Sequence, residues 1–156
     1  MSAEQKLTDL NLSLPILPES KGIYKRCLVV GDLLYVSGHI SIKSDGSPIT
    51  GKLGKDISDD DGKMAARQCG LAILSSIKEH FGGLDRIKRV VKILGMVNST
   101  PDYEKHPVVI NGCSELYVQL WGEENGKGVR SAVGMGSLPG NVAVEIEAIF
   151  QLNPEG

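Results

Sequence analysis

This 156-residue chain has no excess of basic charge. Its 17 Lys and Arg are outnumbered by 19 Asp and Glu, for a formal net charge of -2, and aromatic residues make up only 4%. A basic stripe interleaved with aromatics, the footprint of an RNA-binding surface, is therefore missing, which speaks against a nucleic-acid partner or an anionic membrane. Cysteines are few: Cys27, Cys69 and Cys113 lie far apart with no C-x-x-C pair. That pattern fits reduced thiols used as small core residues in a reducing compartment, so a cytoplasmic location is expected. His39, His80 and His106 have no partner at helical or finger-like spacing, and no metal site is expected. There is no G-x-S-x-G nucleophile turn. "GSPITGKL" (46–53) stops short of a phosphate loop because Leu53 stands where a hydroxyl would reach Mg²⁺. The opening "MSAEQKLTDLNLSLP" lacks both a basic start and a continuous apolar stretch, so it is expected to be neither a signal peptide nor a membrane span.

What is present suits one soluble globular domain over 1–156, with residues 1–20 as an N-terminal extension: hydrophobic residues are 41% and charged ones 23%. "KRCLVVGDLLYVSGHIS" (25–41) sets two β-rich runs around Gly31-Asp32, a hairpin signal. A tight turn there makes facing residue numbers sum to 63, which would place Tyr24 opposite His39. The next segment is polar and Gly-rich, a loop with at most a short strand near Ile49–Leu53. Asp59, Asp60 and Asp61 suit a helix start, and the periodicity predicts a helix from about Asp60 to His80 that stops at Gly82-Gly83. A strand over 89–97 and a helix from about Pro107 to Trp121 follow, with "GEENGKG" (122–128) as a surface loop. The fold class expected is α+β: a two-layer sandwich with a mixed β-sheet and two helices on one face. The other sheet face must be solvated or buried against another copy.

The most informative stretch is "VRSAVGMGSLPGNVAVEIEAIF" (129–150), which reads as a terminal hairpin around Leu138–Asn141. A regular hairpin pairs Val129 with Phe150 and Val133 with Ile146 on the core face. It throws Arg130, Ala132, Glu145 and Glu147 together on the opposite face. Arg130 and Glu147 would then be diagonal neighbours about 7–8 Å apart at Cα, with Glu145 roughly 13 Å from Arg130. Two readings of that face are open: salt bridges on an exposed or subunit-facing sheet, or a site in which Arg130 clamps a carboxylate. On the second, Glu145 near a cation should stay ionised.

These residues resemble a known family. "RSAV", a Leu-Pro turn and "VEIEAI" are similar to the C-terminal signature of the YjgF or Rid (reactive intermediate deaminase) family, also labelled endoribonuclease L-PSP. "YVSGHI" and "VVINGCSELY" resemble its other conserved segments. The resemblance implies a chorismate-mutase-like fold, a homotrimer with ligand sites between subunits, and hydrolysis of 2-imino or enamine acids to 2-keto acids and ammonia, without cofactor. Carried over position by position, Arg130 binds the substrate carboxylate and Glu145 orients water. Tyr24, Ser37, Gly38 and Asn111 bind substrate, as does Ala132, which stands where many members have Cys; His39 and Glu147 are secondary. Ala132 and the longer 122–128 loop mark a divergent branch. The alternatives carried alongside are a non-catalytic trimer that binds a small carboxylate or metabolite, as a sensor or interaction module, and, less favoured, an endoribonuclease.

Overall fold

The computed structural model describes residues 1–155. Helix α1 spans Ala3–Asp9, strands β1 and β2 span Cys27–Val30 and Leu33–Ile40, and helix α2 spans Asp59–Phe81. Strand β3 (Ile87–Asn98), helix α3 (His106–Gly126), strand β4 (Val129–Met135) and strand β5 (Val144–Leu152) complete the chain. The five strands form one mixed sheet in the order β1-β2-β5-β3-β4, and only the β3–β4 pair is parallel.

Helix α2 begins where the acidic cluster predicts. The Ser58 hydroxyl accepts from the Asp61 amide, Asp59–Asp61 fill the first turn, and the chain leaves the helix at Gly82. Its buried stripe, including Ala65, Ala66, Cys69, Ile73 and Ile77, packs on α3 and on β2 and β5. Helix α3 runs further than the sequence suggests. Gly122 (φ 81°) breaks the helical path, and residues 123–126 then form another turn, so the stretch expected to be a surface loop is partly helical. Gly126 is buried there, its Cα face against the Tyr117 carbonyl and Val118.

A third helix joins the two expected. Ser2 caps α1, which buries Ala3 and Leu7 against the core, while the Glu4 carboxylate accepts from the Leu84 amide (2.7 Å) and pairs with Lys78 (3.2 Å). In "AEQKLTD" only Ala3 and Leu7 are apolar at the i, i+4 spacing, too short a stripe to announce a helix.

The first hairpin has the expected register: Cys27 faces Val36 and Val30 faces Leu33. The ladder stops at Cys27, however, so Tyr24 is not paired with His39, and a bulge between Val36 and His39 shifts the register onto β5. Near Ile49–Leu53 the structure has isolated bridges instead of a strand, such as Thr50 to Val142.

The terminal hairpin is not formed. Helix α3 carries the chain back so that β4 lies parallel to β3, as a strand–helix–strand crossover requires. Strand β5 inserts antiparallel between β2 and β3. The Leu138–Asn141 turn is real, but residues 136–143 pass over the end of β3. There the buried Asn98 amide donates to Asn141 Oδ1 (3.0 Å) and the Val142 carbonyl (3.1 Å) and accepts from Lys52 Nζ (3.0 Å). Strand β5 alternates as expected, with Val144, Ile146, Ala148 and Phe150 in the core. Strand β4 alternates the other way: Val129 (68% exposed) and Val133 lie on the open face, and Arg130 and Ala132 turn toward α3.

The uncovered face carries an apolar patch beside Lys92, Glu145 and Glu147. Leu28 and Tyr35 pair across β1 and β2, Ile149 follows on β5, and Leu94 and Met96 lie on β3. Leu28, Tyr35, Val129 and Val133 remain exposed, and a 490 Å³ hollow is lined by Leu28, Tyr35, Leu94 and Ile149 together with the charged Lys25, Lys92 and Glu147. Such a surface is characteristic of an interaction face. Among the described residues no helix is long and apolar enough to cross a membrane.

Candidate functional site

The bulge in β2 builds the first part of the site. Ser37 donates its hydroxyl to the Lys25 carbonyl, and its amide to the Arg26 carbonyl (2.9 Å), tying β2 to the segment before β1. His39 turns inward and is buried. Its Nδ1 lies 2.6 Å from the Ser37 carbonyl, which can only accept, so Nδ1 carries the proton and Nε2 accepts from the Ser76 hydroxyl of α2 (2.6 Å). Burial, more than the opposing backbone hydrogen bond, holds this imidazole below its ordinary 6.5, with a smaller lowering from Arg26. His39 thus fixes the bulge as a neutral ring.

The bulge leaves Gly38 facing Glu145. A Cβ at Gly38 would overlap Glu145 Oε2, so the carboxylate can occupy this position only beside glycine. Glu145 and Glu147 share the open side of β5, and both line a cavity of about 990 Å³ with Tyr24, Arg26, Ser37 and His39. Burial raises the Glu145 carboxyl above the ordinary 4.5, and the Glu147 charge adds to the rise. Within one chain the expected cation is not beside Glu145: no ion pair joins Arg130 to either glutamate among the described residues.

Arg130 lies elsewhere. It is paired with Ile93 of β3, in the row that continues to Ala148 of the core, and its guanidinium donates to Ser114 Oγ (3.0 Å) and the Pro107 carbonyl (3.4 Å) of α3. Asn111 lies between Pro107 and Ser114 on that stripe, at i, i+4, i+7 spacing. Ala132 follows Arg130 on the same side of β4. Beyond it Gly134 leaves room for His106, whose Nε2 is 3.3 Å from Ser99 Oγ.

The expected site residues therefore form two groups. Tyr24, Ser37, Gly38, His39, Glu145 and Glu147 gather around the cavity, whereas Arg130, Asn111 and Ala132 occupy the β4–α3 edge, on the other face and beyond β3. The diagonal Arg130–Glu147 neighbourhood does not exist within one chain, nor can a small substrate reach from Arg130 to Glu145 there. Arg26, Ser114 and Asn98 were not singled out from the sequence. Arg26 was within reach, since the sum-63 register sets it opposite Ser37. The cysteines are core residues, all free and buried, with burial pushing Cys27 up to about 11 and Cys113 up to about 12.

Gly38→Ala should separate site from fold. The overlapping atom is the tip of a flexible side chain, so the protein should fold with nearly unchanged Tm while the carboxylate moves. Losing its seat should remove part of the burial that raises the Glu145 pKa, read as a downward shift in an NMR titration; an unchanged titration would show that the Gly38 contact does not fix the carboxylate.

Fold and residues together define a class: a two-layer α+β protein with a mixed five-stranded sheet, covered by helices on one face and open on the other. A sequence model of the family described as "YjgF/chorismate_mutase-like, putative endoribonuclease" matches residues 4–147, and the chain belongs to that family. Protein TCP17 of Trypanosoma cruzi is 38% identical over 147 residues, which cover 94% of this chain and 92% of that protein. Among solved structures, Atu1372 of Agrobacterium tumefaciens, a protein of unknown function, is 38% identical with a TM-score of 0.86, covering 97% of this chain and 94% of its own. A "putative endoribonuclease" of Shewanella oneidensis is 26% identical with a TM-score of 0.91, covering 97% and 100%.

Proposed function

We propose that this protein is a hydrolytic deaminase of reactive 2-imino and enamine acids, working in the cytoplasm as a homotrimer in clefts where Arg130 of one copy meets Glu145 of the next. The observation that carries this reading is the seating of Glu145: a desolvated carboxylate held against the Gly38 backbone, at the wall of a cavity large enough for a small acid. The apolar patch on the open face supports the assembly, since burying it would offset the loss of freedom on association.

In the reaction the substrate carboxylate pairs with the Arg130 guanidinium, which matches a carboxylate with two parallel donors. Water adds to the C=N carbon. Glu145 takes a proton from that water as its oxygen bonds to carbon, and returns one to the nitrogen. The carbinolamine then loses ammonia and leaves the 2-keto acid. A carboxyl with a raised pKa is the better base among carboxylates, because its proton affinity lies closer to neutrality. The net charge of -2 and the two glutamates in the cavity oppose the RNA-cleaving reading, since both repel a polyanion.

Ammonia release from freshly generated 2-iminobutyrate tests this directly. A rate no faster than spontaneous hydrolysis would overturn it.

The pH profile tests the role of Glu145. Its folded-state pKa lies above the unfolded value, so its contribution to stability is present below 4.5 and is lost as pH rises through the folded pKa. As a base it works only above that pKa, so kcat/KM should fall along an acid limb as Glu145 is protonated, the neighbouring copy's guanidinium opposing the rise that burial and Glu147 cause. Glu147→Gln removes the like charge and should shift the limb downward; a limb that stays put or rises would assign it to another group.

A further inference from the structure

Residues 10–26 contain no regular element between α1 and β1, yet they are tied down. The Ile16 amide donates to the Ser44 carbonyl (3.1 Å), Ser75 Oγ of α2 donates to the Pro15 carbonyl (2.8 Å), and Arg26 donates to the Pro18 carbonyl while pairing with Glu79 (3.8 Å). This fixed strap forms one wall of the 990 Å³ cavity. Arg26, Ser37, His39, Glu145 and Glu147 give it polar lining; apolar groups line it too, Leu17 and Pro18 of the strap, Ile40 and Ile42 after the bulge, Ala72 of α2 and the ring of Tyr24. The charged strap residues Glu19 and Lys21 are exposed and form the rim. A three- or four-carbon acid held at Glu145 would leave this apolar portion to water.

We propose that the strap and the bulge form a side-chain subsite, so that the preferred substrates are imino acids with bulky apolar side chains, branched or aromatic, and not the smallest ones. The inference rests on the deaminase reading for its reaction but not for its binding. Ile40 pairs with Glu145 across β2 and β5, so apolar wall lies beside the reacting end, within reach of the carbon chain of a 2-imino acid whose C=N carbon is at Glu145. In a hydrophobic pocket each matched methylene is worth roughly ten- to two-hundredfold in kcat/KM.

Imines generated in situ by an amino-acid oxidase from L-leucine and L-phenylalanine should be hydrolysed with kcat/KM at least about tenfold above those from L-alanine and L-2-aminobutyrate. Leu17→Glu, on the strap and partly exposed, should reduce that preference ratio about tenfold. Calorimetric titration of the intact protein with 4-methyl-2-oxopentanoate and with pyruvate gives a readout independent of turnover. Tighter binding of the branched acid without hydrolysis of any imine would keep the subsite and overturn the deaminase reading. Turnover confined to the small imines, or an unchanged ratio in Leu17→Glu, would overturn the subsite alone. Neither binding nor turnover would overturn both.

Discussion

Oligomers assembled from two inactive variants should regain activity. On the deaminase proposal, Arg130→Ala removes the guanidinium that pairs with the substrate carboxylate, a loss of about 2–5 kcal/mol of transition-state binding and hence more than tenfold in kcat/KM. Glu145→Gln leaves the Gly38 contact sterically intact but removes the base. Within one chain these groups cannot share a substrate: Arg130 bonds to Ser114 and Pro107 on the helix side of the edge strand, and Glu145 lies against Gly38 on the open side of β5, with β3 between. A site that uses both must draw them from two copies. In a cyclic trimer containing both variants, one cleft in three joins an intact Arg130 to an intact Glu145, whichever variant is present twice. Tandem capture of co-expressed, differently tagged chains should thus yield about a third of the wild-type rate on 2-iminobutyrate. No recovery in verified mixed trimers would show that Arg130 and Glu145 do not serve one shared cleft.

The same separation shows where sequence reasoning reached its end. The register of β1 on β2 and both ends of α2 could be read because each depends on neighbouring residues: a Gly31-Asp32 turn, three aspartates, a glycine stop. On β5 the alternation could also be read, since Val144, Ile146, Ala148 and Phe150 contrast with Glu145 and Glu147. Strand β4 offers no such contrast. "VRSAVGM" has Val129 and Val133 on one side and Ala132 and Gly134 on the other, and the more apolar side is the open one. A rule that sends the greasier face to the core fails where the other face is itself apolar. The Leu-Pro-Gly-Asn composition marks a turn but not its span. What decides the pairing is the non-local crossover through α3, which sets β4 beside β3 and leaves a central position for β5. Read from the sequence, Arg130, Ala132, Glu145 and Glu147 fall on one face; their division between two faces could come only from the sheet order. Asn98 carries no local signal at all, because its partners Lys52, Asn141 and Val142 come from two distant loops.

The largest stability effect should come from Gly112→Ala. Helices α2 and α3 approach most closely where Gly70 faces Cys113 and Leu116, and Gly112 faces the α2 backbone itself. A methyl group on Gly112 would overlap the Lys63 carbonyl oxygen and come within 2.9 Å of the carbonyl carbon and 3.1 Å of the Arg67 amide. No rotamer change relieves a backbone overlap, so the helices must separate and loosen the packing of Cys69, Cys113, Leu116 and Tyr117, all fully buried. Overpacking ordinarily costs about 1–3 kcal/mol, and this substitution should lie at or beyond the upper end, lowering Tm by roughly 6–12 °C for a chain of this size. Gly136→Ala is the matched comparison: it also adds one methyl, but nothing lies within 4 Å of it and its backbone has no positive φ, so its cost should be well under about 1 kcal/mol. Calorimetry of both variants should thus show a deficit at least about threefold larger for Gly112→Ala. Equal deficits would mean that the helix–helix contact yields easily and that α2 and α3 are not held together by close backbone approach.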